Sequence, residues 1–155
     1  MNAKDLASRY SMDAHVENGL FIENHYEKSE ENLPAYNPDR AASGSIYYYV
    51  APGELTEFHR IDCDEYWVYN EGSDIDLWVI STDGSLWVKR LGIGPGAEPC
   101  IRIAAGEIFA SKLPGDAADG TFLTCITVPR FTYEGFEMID KDSVLQIQPM
   151  CREFW

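Results

Sequence analysis

The feature that most constrains this chain is a change of hydrophobic period at Gly44. From there to Val128, apolar and polar residues alternate in short runs, and a turn signal separates most runs from the next. Alternation of this kind puts successive side chains on opposite faces of an extended strand. Candidate strands span 46–51, 54–61, 65–69, 75–81, 85–91, 100–104, 107–113 and 121–128. They are rich in Tyr, Trp, Ile and Val, which suit a half-buried pleated surface. Asp83-Gly84, set between Trp78–Ile80 and Leu86–Val88, has the residue types of a two-residue hairpin turn. Many short, evenly spaced strands joined by turns indicate a sandwich or barrel, so the expected fold is all-β.

The remaining segments are shorter statements. Residues 3–10 predict a short helix, and 140–148 allow another before Pro149. Residues 27–42, polar and carrying Pro34 and Asn37-Pro38, read as a surface loop. Residues 140–155 read as a C-terminal extension whose aromatic end, Phe154-Trp155, docks on the body or on a second subunit. At 155 residues the whole chain, 1–155, is expected to form a single domain.

Charge narrows the partners. Twelve Lys and Arg against 26 Asp and Glu leave a net charge of −14. Such a surface repels phosphate backbones and anionic headgroups, so no nucleic acid and no membrane is expected as a partner. Cys63, Cys100, Cys125 and Cys151 include no Cys-x-x-Cys pair, and no leader or apolar span is visible, so a cytoplasmic protein is expected. Gly92-Ile93-Gly94-Pro95-Gly96 precedes no clear helix and reads as a hairpin loop, not a phosphate cradle.

One spaced pattern carries chemistry. Gly53, His59, Ile61, Glu65 and Gly72 resemble the first cupin motif, in which a second His stands where this chain has Ile61. His59 and Ile61 are two apart on one strand and share a face. Glu65 follows a short turn and can return to that face from the neighbouring strand. A weaker segment, Ile103 to Phe109, resembles the second cupin motif with Phe109 in place of its His. Ser45 to Gly53, Phe58-His59-Arg60-Ile61, Asp64-Glu65 with Trp67, and Thr124 to Phe131 are similar to the cupin family called DUF985, or Cupin_5. Ala14-His15-Val16-Glu17-Asn18-Gly19 keeps the His, the Glu and one Gly of that family's early Pro-His-Pro-Glu-Gly-Gly loop, and Glu23 matches a later acid. The likeness runs from Leu6 to about Pro149. It implies a double-stranded β-helix, the jelly-roll cupin barrel, preceded by a short helix. Three departures, Asn18, Ile22 and Val68, suggest a retuned pocket.

The resemblance also sets the functional expectations. Many cupins bind a divalent metal through three His and one Glu, and those positions are here His59, Ile61, Glu65 and Phe109. With two donors left, no cofactor is expected; a divalent metal stays open only if His15, Glu17 or His25 joins His59 and Glu65. Likeness to cupin sugar epimerases implies acid–base catalysis, with His59 oriented by Glu65 and with Tyr47, Tyr49 or Tyr69 as proton donors. His15, Glu17, Glu23, Ile61, Trp67 and Phe109 are the expected ligand-binding residues. The ligand class is a small, sugar-like molecule. A non-catalytic ligand-binding cupin and a metal-dependent oxygenase are the alternatives. A homodimer is expected from the resemblance.

Overall fold

Burial along the strands alternates as the sequence predicts, and it sorts them into two sheets packed face to face. A computed structural model describes residues 2–27 and 40–155, with backbone alone for 25–27. In chain order the elements are α1 (Ala3–Arg9), β1 (Asp13–Ala14), β2 (Leu20–Glu27), β3 (Ser43–Val50), β4 (His59–Ile61) and β5 (Asp64–Gly72). They continue as β6 (Ile75–Ile80), β7 (Leu86–Leu91), β8 (Cys100–Ile103), β9 (Ile108–Lys112), β10 (Thr121–Val128), β11 (Phe136–Met138) and α2 (Lys141–Ile147). One sheet has the order β1-β2-β3-β10-β5-β8 and the other β11-β4-β9-β6-β7. This is the jelly roll that the motif implied.

Between the sheets lie Tyr48, Trp67, Leu77, Leu91, Phe109 and Leu123, all essentially inaccessible to solvent. Helix α1 is started by a capping box between Asn2 and Asp5, and it lays Ala3 and Ala7 over Tyr49 and Phe122. Helix α2, capped by Asp140, contributes Val144 to a separate apolar cluster with Phe58, Ile80 and Phe154.

Three differences from the sequence reading have local causes. Of the expected strand 54–61, only His59–Ile61 is extended in a ladder. Before it, Thr56 Oγ1 takes the place of a carbonyl and accepts the Ser111 N–H at 2.7 Å. Strand β2 was hidden because its pairing with β3 shifts register between Glu23 and His25, which breaks the alternation. Residues 92–96 do not close a hairpin: β7 and β8 belong to opposite sheets, so this segment crosses between them. The Asp74 carboxylate holds the crossing through the N–H groups of Ile93 at 3.2 Å and Gly94 at 3.4 Å. A Cβ on Gly92 would fall 1.9 Å from that carboxylate, hence the glycine.

The C-terminal segment docks on the body. Phe154 meets Phe58 edge-on at 4.8 Å and Trp78 at 5.8 Å. Lys112 Nζ lies 5.3 Å over the Phe154 ring and donates to the Glu153 and Phe154 carbonyls at 2.8 and 2.9 Å. Residues 28–39, most of the expected surface loop, lie outside the described residues. No helix among the described residues is long and apolar enough to cross a membrane. Truncating a fully buried aromatic ring leaves a cavity, so Phe154→Ala is expected to cost about 3–5 kcal/mol in urea unfolding. A loss below about 1 kcal/mol would mean that the segment is not part of the cooperative unit.

Candidate functional site

Toward the β4, β5 and β10 ends that carry Ile61, Glu65 and Cys125, the apolar filling gives way to a cavity of about 320 Å³. Strand β4 supplies His59 and Ile61 on its buried face, with Arg60 turned outward, as period-two geometry requires. Glu65 comes from β5. Strands β4 and β5 are not neighbours in one sheet, as the spacing suggested; they lie in opposite sheets, and Glu65 faces the same cavity as His59 from across the sandwich.

The His15–Gly19 turn between β1 and β2 supplies two more groups. Asn18 and Gly19 are both left-handed, at φ 78° and 79°, and the His15 N–H donates to the Gly19 carbonyl at 3.0 Å. A Cβ at Gly19 would lie 2.8 Å from the Tyr49 carbonyl oxygen. Asn is the side chain that best tolerates this region after Gly, so Asn18 preserves the turn. Its side-chain amide donates to the Leu55 carbonyl at 2.8 Å, and the Glu57 N–H donates to the Glu17 carbonyl at 2.9 Å. These bonds fix Glu17 beside His59. One Glu17 oxygen lies 3.2 Å from His15 Nδ1, and the other is in very short contact with His59 Nδ1. The Glu57 carbonyl oxygen also faces His59 Nδ1, at 2.9 Å.

Burial opposes charge on His59, but the Glu17 charge and hydrogen bond, the Glu57 carbonyl and then Glu65 outweigh it and raise its pKa. Burial lowers the pKa of His15 despite Glu17. Glu65 is pushed up to about 7, chiefly by burial, with the His59 charge opposing and the Glu17 charge adding. Burial and Glu65 likewise keep the Cys125 thiol well above its ordinary range. The site therefore holds a carboxyl that titrates near neutrality beside an imidazole whose pKa is raised.

His15, Glu17, Glu23, His59, Ile61 and Glu65 all line this cavity. Five other expected site residues do not. Tyr47 packs on Tyr10 and Phe122 under α1, because β3 turns Tyr48 inward and its neighbours outward. Tyr49 is buried on that same outer side. Tyr69 donates its hydroxyl to the Gly72 carbonyl at 2.7 Å. Trp67 is buried in the core. Phe109 is too, with its ring centre 4.1 Å from that of His59, so it backs the imidazole and does not face the cavity. The three departures also fall outside the cavity lining: Asn18 serves the turn, and neither Ile22 nor Val68 lines it. The carboxylate in contact with His59 Nδ1 is Glu17, not Glu65. The side chain of His25 lies outside the described residues.

The segment after β10 was the part missed as a site. Phe131, Tyr133 and Phe136 stack edge-on among themselves and form an aromatic wall of the cavity. Arg130 lines it as well and binds Glu23 through two nitrogens at 2.7–3.2 Å. Its signal in the sequence was the Thr124–Phe131 stretch, which had served only to show a likeness.

The family model of the cupin superfamily group DUF985, Cupin_5, matches residues 4–139. This chain belongs to that family. A protein from Shewanella oneidensis of known crystal structure is 27% identical over 99% of this Cupin_5 chain and 94% of its own, with a TM-score of 0.86. A hypothetical protein from Leishmania major is 24% identical over 97% and 94%, with a TM-score of 0.85. The L-ribose isomerase of Cellulomonas parahominis is 15% identical over 73% and 61%, with a TM-score of 0.58, a likeness of fold. No curated protein matches the chain.

Cupins often hold a divalent metal, and the residues present here do not fit one. Ile61 and Phe109 offer no donor atom at two of the four positions, and His59 Nδ1 is engaged by Glu17 and Glu57. Among the described residues, no three His, Cys, Asp or Glu side chains are grouped to hold an ion. The four cysteines are all unpaired thiols.

The shifts give a pH dependence with a definite sign. Glu65 rises from 4.5 unfolded to about 7 folded, so its contribution to stability is full below the first value and lost as pH climbs through the second. His59, raised above 6.5, contributes in the same sense; His15, lowered, runs against it. Melting temperature is expected to fall between about pH 4.5 and about pH 7, and Glu65→Gln should flatten that fall. An identical slope in wild type and variant would contradict the assignment.

Proposed function

We propose that this chain is a small-molecule cupin performing acid–base chemistry of the isomerase or epimerase kind on a sugar-like ligand. The observation that carries the reading is the presentation of His59 and Glu65 from opposite sheets into one cavity. Burial lifts Glu65 to about 7, while on His59 burial is outweighed by the Glu17 charge and hydrogen bond, which raise its pKa. In this reading ionised Glu65 takes the proton from the carbon beside a carbonyl. Protonated His59 gives its proton to the carbonyl oxygen. One C–H bond breaks and one O–H bond forms; the enediol then collapses as Glu65 returns its proton to carbon and an enediol hydroxyl gives its proton back to His59.

The walls suit such a ligand. Phe21, Phe131 and Phe136 offer apolar faces, and the cavity-lining residues Ser45, Thr127 and Thr132 bring hydroxyl groups. A volume near 320 Å³ accommodates a molecule of monosaccharide size. The named chemistry of the L-ribose isomerase is of this class, and the shared fold agrees with the proposal without deciding it.

The test is a panel of aldoses and ketoses incubated in D2O and followed by proton NMR. Deuterium is expected at the carbon next to the carbonyl, with exchange slowed about 10²–10⁴-fold in Glu65→Gln and in His59→Gln. Both variants should keep the wild-type circular dichroism. Saturable binding without exchange would make the protein a ligand carrier, and exchange undiminished in both variants would remove the site assignment.

A further inference from the structure

We propose that His15 is a positioning residue for His59, acting through Glu17, so that His59 Nε2 is the ring nitrogen offered to the ligand. The effect on turnover rests on the acid–base reading above; the geometry does not. The Glu17 carboxylate stands at the junction of the chain, with His15 Nδ1 3.2 Å from one oxygen and His59 Nδ1 against the other. All three side chains are more than nine-tenths buried, at 8%, 8% and 4% exposure for His15, Glu17 and His59.

Donor and acceptor capacity fixes the protons. An ionised carboxylate only accepts, and so does the Glu57 carbonyl that shares His59 Nδ1. His59 Nδ1 therefore carries a hydrogen, and in the neutral ring the lone pair lies on Nε2. The same argument applies to His15. Its Nδ1 also lies 3.4 Å from the Glu17 N–H, but the shorter contact is to the carboxylate oxygen, which demands a donor.

His15 is not free to leave. Its ring sits edge-on to Phe21 at 4.8 Å and to Tyr48 at 5.6 Å, and the two left-handed residues that follow fix its backbone. A carboxylate held at one oxygen by a fixed donor cannot rotate away from the imidazole at its other oxygen. The clasp joins the two sheets, since His15 and Glu17 come from the β1–β2 turn and His59 from β4. The ionisable groups facing His59 are Glu17 and His15 from that turn and Glu65 from β5; the rings of Phe109 and Phe136 add no charge.

The experiment is long-range proton–nitrogen NMR of the three histidines, labelled with 15N, in the full chain. Wild type should show His59 as the Nδ1–H form when neutral. His15→Phe keeps an aromatic ring between Phe21 and Tyr48 and removes the donor. It is expected to shift the His59 ring nitrogen resonances, as is Glu17→Gln, with the Glu57 carbonyl still holding the Nδ1 hydrogen, while His15→Gln, which restores a donor, moves them back toward wild type. If a reacting ligand is in hand, kcat in His15→Phe should fall by the roughly 10–100-fold that loss of an orienting partner costs at other sites, with KM little changed. An unchanged His59 spectrum in His15→Phe overturns the proposal, whether or not Glu17→Gln perturbs it. A shifted spectrum in a protein that exchanges no proton on any ligand keeps the positioning role and rejects the acid–base reading.

Discussion

A carboxylate shared between two buried imidazoles is the contact on which the rest of this site depends. Leaving an unpaired charge inside a sandwich costs several kcal/mol, so a buried carboxylate must find partners or take up a proton. Glu17 finds two, His15 and His59, and the turn that carries it is shaped for that purpose. Glu65 has no such clasp. Burial raises its pKa to about 7, with the His59 charge and then hydrogen bonds from Cys125 and Trp67 in opposition. Two carboxyl groups in one cavity thus acquire different characters from their surroundings alone.

The aromatic frame makes that difference possible. Phe109 lies against His59 on one side and Phe136 on another, while Tyr48 closes the space behind His15. These rings keep water from the imidazoles and set their planes. Tyr48, itself buried, gives its hydroxyl to the Asn18 carbonyl at 2.6 Å, tying the core to the turn. Packing and proton chemistry are in this way the same set of contacts seen from two sides.

The sheets were legible because their signal is local. Period-two burial, Asp83-Gly84 and the spacing of Gly53, His59, Ile61, Glu65 and Gly72 each span a few residues, and the structure agrees with them. What failed was parity and distance. In Tyr47-Tyr48-Tyr49 all three residues are alike, so no hydrophobic contrast marks the inward one. The pairing of Glu17 with His59 joins elements of opposite sheets, and no periodicity records it. The spacing did put Glu65 beside His59, but it could not say that the sandwich, and not a neighbouring strand, brings them together.

The arrangement separates two kinds of change. The proton-handling groups stand on β4, β5 and the β1–β2 turn, whereas the aromatic wall belongs to the segment that follows β10. That segment is anchored by bonds of its own: the Phe131 N–H to Thr127 Oγ1 at 2.8 Å, and the Asp62 N–H to the Gly135 carbonyl at 3.1 Å. Arg40, bound to Asp62 and to the Arg130 carbonyl, secures it further. Side chains at Phe131 and Tyr133 can therefore be exchanged without touching the imidazoles or the carboxylates, whereas Phe136, 5.5 Å from the His59 ring, is tied to the site. Under the proposed acid–base reading, ligand preference drifts in such a frame while the reaction type stays put, and sequence divergence concentrated in this one stretch would mark a change of diet, not of trade.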